Sequence, residues 1–421
     1  MPEGAATVTD FAPTETDPPI ILHVDCDCFY AACERLRRPD LVDEPVVIGM
    51  GYEQADPHGA VATASYEARE YGIESAMPIS DALERLPRRV DADADDPAAP
   101  DPVDAGYYLP VEMDHYQAVG GDVHALLEQY ADPLEPVSID EAYLDVTDAT
   151  TWADVDAFAQ TLKTEIKTTI GIPVSIGVAP TKSAAKVASD HDKPDGLVVV
   201  RPGDVQEFFA PLDIESVHGI GPVTAGKLRE RGIDTAGELA TADPETLVTA
   251  VGSKGRAIQQ RARGHDPRPV TPPDDPKSIS KETSLDPEGV TDSTVKTEIV
   301  RELAEQVTTR ANSKNALYQT VGIKVVQPPF DVNTREWSLS GPVQNKALVE
   351  TVALDLLGEF EAVPVRKLGV RVSNLSFSER EQAPLTEWEP ADAGSHSAVV
   401  PEHIRRRLAD QGDPQTTLDE F

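Results

Sequence analysis

The sequence predicts a multidomain α+β protein, on three observations. Its 421 residues suffice for two to four domains at ~150 residues each. Short apolar runs of strand length alternate with stretches of helical i, i+3, i+4 periodicity. A Pro-rich segment, RPVTPPDDPK (268–277), divides two such stretches and reads as an extended, semi-rigid linker. Composition excludes other classes. Hydrophobic residues make up 40%, too many for wholesale disorder. The absence of a run of about 18 apolar residues excludes a membrane span. MPEGAATVTDFAPTETDPP lacks the basic end and apolar core of a secretory signal. Cys26, Cys28 and Cys33 cluster too closely for a disulfide framework, and a reducing cytoplasm is expected.

Residues 1–18 are polar and Pro-containing, expected to be disordered. IILHV (20–24) reads as a buried strand ending at Asp25-Cys26-Asp27, and a helix is expected from Phe29 to Arg37. PVVIG (45–49) and GAVATAS (59–65) are two further strands, and DADADDPAAPDPVD (91–104) an acidic loop. A helix follows around Tyr116–Tyr130, then a hairpin over EPVSIDEAYLDV (135–146). Trp152, Val155, Phe158, Leu162, Ile166 and Ile170 mark an amphipathic helix. Alternating Val174, Ile176 and Val178 mark a strand, and SAAKVASD a helix. Residues 205–267 read as short helices around two Gly turns, VHGIGP (217–222) and VGSKGR (251–256). From Ser278 the order is strand, helix (293–312), strand, strand, helix (345–361), strand, a β-α-β-β-α-β pattern. Residues 378–414 read as an acidic tether.

Lys and Arg number 37 against 74 Asp and Glu, a formal net charge of −37. By net charge alone such a chain repels polyanions. In molar salt, where the Debye length is only ~3 Å, the self-repulsion is small. The acidity therefore reads as the hydrated surface of a halophile protein, and any polyanion site must be locally basic. One such stretch is GSKGRAIQQRARGHDPR (252–268), with Lys254, Arg256, Arg261, Arg263 and Arg268 against a single acid, Asp266.

Asp25, Asp140 and Glu141 sit at strand ends. Any one of them would read as a solvated loop residue in a chain this acidic. Three converging carboxylates instead call for a hard divalent cation such as Mg²⁺. The surrounding words are specific. HVDCDCFYAACE (23–34), AVATASYEARE (60–70), YGIESAMPI (71–79), SIDEAYLDV (138–146), GVAPTKSAAKVASDHDKPDG (177–196) and VHGIGPVTAGKL (217–228) occur in this order and closely resemble the Y-family DNA polymerases, DNA polymerase IV-like (DinB) branch.

The resemblance covers roughly residues 19–376 and implies a right-hand polymerase. Palm is 19–28 and 107–200, fingers 29–106, helix-hairpin-helix thumb 201–267, little finger 278–377. The implied activity is low-fidelity, template-directed translesion synthesis from dNTPs on primer-template DNA, without a proofreading exonuclease. A monomer is expected. Asp25 and Asp140 would bridge two Mg²⁺ ions, Glu141 would bind the ion nearest the primer 3′-hydroxyl, and the Cys26 carbonyl would complete the other. Tyr30 would be the steric gate against ribose, beside Phe29. Thr63, Tyr66, Arg69 and Lys186 would meet triphosphate oxygens, and the small Ala60 and Ala76 would roof the templating base. Gly219, Gly221, Gly252 and Lys254 belong to the two Gly turns, whose N–H groups suit phosphates. Lys324, sharing a strand face with Gly322, Thr320 and Tyr318, would join Arg366, Lys367 and Arg371 on a DNA-facing sheet. At the C-terminus, Gln415, Leu418 and Phe421 stack at 3₁₀ spacing and resemble the peptide that docks on ring-shaped sliding clamps. The alternative is a non-catalytic DNA-binding accessory on the same fold, which the carboxylate trio disfavours. A two-metal nuclease has no use for the Tyr30 and TASYEAR positions.

Overall fold

The computed structural model describes residues 18–50, 59–96 and 98–377. The chain divides into two compact units, residues 1–273 and 274–421, at a boundary inside the Pro-rich segment. The tether 378–414, the peptide 415–421 and nearly all of the polar stretch 1–18 lie outside the described residues.

The first unit runs β1 (Ile21–Cys26), α1 (Phe29–Arg37), β2 (Val46–Gly49), β3 (Val61–Ala64), α2 (Tyr66–Glu70), α3 (Ile79–Arg85), β4 (Tyr107–Leu109) and α4 (Met113–Leu127). It continues through β5 (Leu134–Pro136), β6 (Glu141–Asp145), α5 (Val155–Thr169), β7 (Val174–Ala179), α6 (Lys182–His191) and β8 (Leu197–Val199). Five short helices follow: α7 (Val205–Phe209), α8 (Pro222–Arg229), α9 (Ala236–Thr241), α10 (Pro244–Val251) and α11 (Lys254–Ala262).

Its main sheet has the order β5-β6-β1-β7-β8. β1 is the centre, antiparallel to β6 and β7, and all six of its residues are buried. Leu22 and Val24 pack with Ala31 of α1, Tyr116 of α4 and Leu162 of α5. On the other face Ile21, Tyr143 and Ala179 pack with Ala184 and Ala185 of α6 and with Phe209 and Leu228 of the short helices. Alternation identified β7 as a strand, yet all six of its residues are buried, because helices cover both faces. α6 lies directly on it: a Cβ at Gly177 would stand 2.1 Å from the Ala185 carbonyl oxygen and 2.2 Å from the Ser189 nitrogen.

Two expected boundaries move. The second sheet has the order β3-β2-β4, and β4 pairs parallel with β2. Residues 107–109 therefore belong with the sheet of the expected fingers, not with the palm; parallel pairing between distant segments leaves no local sequence signal. The expected linker is shorter than 268–277. Val270 is buried with the short helices, and the Thr271 N–H donates to Glu135 at 3.0 Å. Glu135 is in turn ion-paired with Lys182.

The second unit comprises β9 (Ser278–Ser284), α12 (Ser293–Ser313), β10 (Leu317–Gln327), β11 (Asp331–Val343), α13 (Lys346–Leu357) and β12 (Lys367–Ser376). Its antiparallel sheet has the order β11-β10-β12-β9. Val321, Ile323, Val325, Val370 and Val372 pack under α12 and α13. Tyr318 departs from its expected place beside Lys324. It is fully buried, and its hydroxyl accepts the Asn345 N–H that opens α13 at 2.9 Å. The β10–β11 register shifts between Tyr318 and Thr320, and such an irregularity re-aims a side chain.

Lys296 of α12 is fully buried, which lowers its pKa. Its ammonium donates to the carbonyls of Phe360 at 3.0 Å, Glu361 at 2.6 Å and Val363 at 3.1 Å, just past α13. Charge-assisted hydrogen bonds of this kind contribute about 1.5–3 kcal/mol each, and orphaned carbonyls are costly. Lys296→Met, which keeps the stem, is expected to destabilise the second unit by ~3 kcal/mol. An unchanged urea midpoint would show that the ammonium adds nothing net.

Candidate active site

The site is set by strand register. β1 pairs with β6 so that Asp25 lies directly opposite Glu141. His23, two residues before Asp25, shares its face by strand alternation. The turn before β6 is held to β1 by the Cys26 N–H, which donates to the Asp140 carbonyl at 3.0 Å. Ser138 shapes that turn. Its hydroxyl donates to the Asp140 carboxylate and accepts the N–H groups of Asp140 at 3.3 Å and Glu141 at 3.1 Å.

Two ammonium groups lie against the carboxylates, and one of them bridges Asp25 and Glu141. Lys186 Nζ lies 3.0 Å from Asp25 Oδ2 and 2.8 Å from Glu141 Oε1. Lys193 Nζ lies 2.7 Å from Asp25 Oδ2, and both lysines also pair with Asp190. Burial pushes the Asp25 pKa up, but Lys186, the hydrogen bond to Glu141 and Lys193 outweigh it and hold it at about 2. Burial and the bond to Asp25 push Glu141 up to about 6, against the pull of Lys186. Burial is the largest influence on Lys186 and lowers its pKa, but Asp25, Asp190 and Glu141 raise it further, so it stays charged.

His23, Asp25 and Glu141 offer ligand atoms within 4.8 Å of one another. Two hard carboxylates with cations drawn to them suit a divalent ion of the Mg²⁺ or Mn²⁺ kind. Asp140 stands outside that group but lines the same cleft of about 220 Å³, together with Asp25, Cys26, Phe29, Glu141 and Lys186. His23 is fully buried. Its Nδ1 lies 2.7 Å from Ser189 Oγ, whose own proton goes to the Lys186 carbonyl, so Nδ1 is the donor. Among the described residues Nε2 has no hydrogen-bond partner, and it lies 4.0 Å from Glu141 Oε2. Burial, then Lys186, lowers its pKa, so the ring is neutral.

The other wall of the cleft carries Thr63, Tyr66, Arg69 and Ser75. Arg69 lies 4.7 Å over the Tyr66 ring, with Nε donating to the Ala64 carbonyl at 3.0 Å. Tyr66 donates to Asp27 at 3.3 Å, and Asp27 also accepts from Ser175 at 2.9 Å and from the Asp195 N–H at 2.8 Å. Asp27 is thus held in a structural network, whereas Asp25 faces the cleft. Cys28 turns the chain from β1 into α1 with a left-handed φ of 46°. Burial raises the pKa of all three thiols, to about 11 for Cys28 and about 12 for Cys33, so they are protonated.

Tyr30 stacks on Tyr116, ring centroids 4.4 Å apart, whereas Phe29 lines the cleft. Ala60 and Ala76 are exposed and close together: Ala60 bridges to Pro78, and the Ala76 N–H donates to the Val61 carbonyl at 2.8 Å. The two Gly turns are neighbours as well. Gly219 and Gly252 have φ of 94° and 75°, Gly221 precedes α8, and Lys254, opening α11, donates to Thr224 of α8 at 2.7 Å. In the second unit Lys324 and Lys367 meet Glu282, Arg371 meets Glu336, and Arg366 lies 3.9 Å over the Phe330 ring.

Sequence reasoning placed Lys186 with the triphosphate; here it sits on the carboxylates. Sequence reasoning missed His23, Ser75, Ser138, Lys193, Glu282 and Glu336. Strand parity with Asp25 was a signal for His23. Lys193 stood in a quoted motif. The glutamates needed the register.

A family model described as the impB/mucB/samB family matches residues 24–190, and its C-terminal domain model matches 276–385. A SAM-like helix-hairpin-helix tandem matches residues 211–257. A DNA polymerase IV of Halobacterium salinarum is 54% identical over 96% of each chain. A Y-family DNA polymerase chimera of Dbh and Dpo4 superposes with a TM-score of 0.73 at 28% identity, over 85% of this chain and all of its own. An insertion ternary complex of Dbh DNA polymerase superposes at 0.60, also at 28% identity, over 85% of this chain and all of its own.

Proposed function

This chain belongs to the DNA polymerase IV branch of the Y family and is a translesion DNA polymerase, and on that premise we propose how its residues divide the work. The carrying observation is the register that sets Asp25 against Glu141 in a cleft shared with Asp140. Asp25, Asp140, Glu141 and the Cys26 carbonyl are the proposed metal ligands. When bound, two Mg²⁺ ions would lower the pKa of a primer 3′-hydroxyl and neutralise charge developing on the α-phosphate.

The remaining groups bind and orient. Arg69, held flat by Tyr66 and Ala64, presents a guanidinium suited to bidentate phosphate contact. Lys186 and Lys193 balance the carboxylates and, on flexible stems, can serve triphosphate oxygens instead. Thr63 and Tyr66 complete that wall. Ala60 and Ala76 leave room above a templating base, and a roomy site discriminates shape weakly. The Gly219, Gly221 and Gly252 turns with Lys254 grip primer-template phosphates without reading bases. Lys324, Arg366, Lys367 and Arg371 supply the second basic surface.

Glu141→Gln or Asp140→Asn is expected to reduce primer extension by about 10²–10³-fold, the scale on which electrostatic groups act, with primer-template affinity within about twofold of wild type. Retained turnover would overturn the metal-site assignment.

Tyr30 follows the metal-binding turn and is braced by Tyr116, a rigid platform for a steric gate. Tyr30→Ala should raise ribonucleotide incorporation ~10²-fold, the scale of pocket discrimination. An unchanged dNTP/rNTP ratio would make Tyr30 a packing residue.

The peptide Gln415, Leu418, Phe421 is proposed to dock on a sliding clamp, which raises local enzyme concentration without new catalytic contacts. Deleting 415–421 should abolish stimulation by clamp loaded on a primed circle and spare clamp-free extension. Surviving stimulation would locate the contact elsewhere.

A further inference from the structure

The polar face of the second unit's sheet carries its basic residues in an arrangement the sequence does not reveal. Two cross-strand rows run over it. In one, Lys324 of β10 is opposite Gly369 of β12, which is opposite Glu282 of β9. In the other, Arg371 of β12 is opposite Gly322 of β10, which is opposite Glu336 of β11. Each base reaches across a glycine to a glutamate on an outer strand. Lys324 Nζ lies 3.0 and 3.1 Å from the two Glu282 oxygens, and Arg371 Nη1 lies 3.6 Å from Glu336 Oε1.

The glycines make this possible. A Cβ at Gly369 would stand 2.8 Å from Glu282 Cγ, and one at Gly322 would stand 2.9 Å from Glu336 Cγ. The glutamate stems therefore lie flat over bare backbone. Both rows floor one open groove of about 440 Å³.

We propose that Glu282 and Glu336 are carboxylate latches on the DNA-binding face, each displaced when DNA phosphates take its partners, Lys324 and Lys367 (3.6 Å) for Glu282 and Arg371 for Glu336. This rests on the DNA-polymerase reading above and adds to it how ionic strength governs the contact. An ordinary Lys–phosphate contact releases ~0.9 condensed counterion, which makes binding fall steeply with salt. Here the base is already neutralised. The phosphate frees a carboxylate, the carboxylate draws cations from solution, and that uptake offsets part of the release. Half-exposed ion pairs are weak, so a phosphate can displace them.

The test is fluorescence anisotropy of the full chain on primer-template DNA, from about 0.1 to 1 M KCl. Glu282→Gln/Glu336→Gln should bind more tightly at low salt and steepen the plot of log K against log[KCl] by up to ~1.8, at most ~0.9 per latch. Its advantage should then shrink by up to ~60-fold across the series. Each single variant should give half the change in slope. Glu305→Gln/Glu350→Gln makes the same charge change on α12 and α13, where these residues pair with Lys346 and Arg301. It should keep the wild-type slope. A latch variant with the wild-type slope, or a control that steepens equally, overturns the latches. Lys324→Gln/Arg371→Gln separates the two failures. If it weakens DNA binding while the latch slopes stay unchanged, only the latches are wrong; if it leaves DNA affinity unchanged, the face itself is misassigned and the latches fall with it.

Discussion

Two carboxylates facing each other across neighbouring strands are the constraint around which the first unit is organised. Asp25 and Glu141 are paired by the β1–β6 register, in a sheet whose apolar residues leave that register no freedom. Like charges this close and this buried are sustained only with positive charge beside them. Two lysines of one helix-and-loop segment provide it. Asp190 draws on the same two lysines, so three carboxylates share two ammonium groups, and a divalent cation would complete the balance of charge.

The neighbouring acidic residue shows how the same chemistry is put to a different use. Asp27 is in the same short motif as Asp25, but it accepts from Ser175, Tyr66 and the Asp195 backbone. Those partners tie β1 to β7, to the loop carrying Lys193, and to the helix carrying Arg69. One aspartate thus braces the wall that the other needs. His23 is held similarly, its tautomer fixed by Ser189, with a bare nitrogen turned toward Glu141.

Much of this was legible in the sequence, for physical reasons. Apolar runs and helical periodicity report burial, so β1, α1, α5, α12 and the β-α-β-β-α-β order could be read directly. The carboxylates stood in specific motifs. What escaped was non-local. Parallel pairing moved residues 107–109 into the second sheet, and a register shift carried Tyr318 into the core. Docking on Glu135 shortened the linker. The basic residues of the second sheet were legible as charges, but their glutamate partners, set two strands away across glycines, were not. Local pattern gives a residue its character, whereas register gives it its neighbours.

Gly177 sets a gauge. With only a hydrogen there, α6 rests on the backbone of β7, and that spacing fixes how far the Lys186 stem stands from Asp25 and Glu141. A methyl group at this position would lift the helix by ~1 Å, a displacement that in a positioned site costs on the order of 10²-fold in rate. The position lies beside His23 across the β1–β7 pairing and carries no chemistry of its own, yet the smallest of side chains sets the spacing of the cleft that holds Asp25, Glu141 and Lys186.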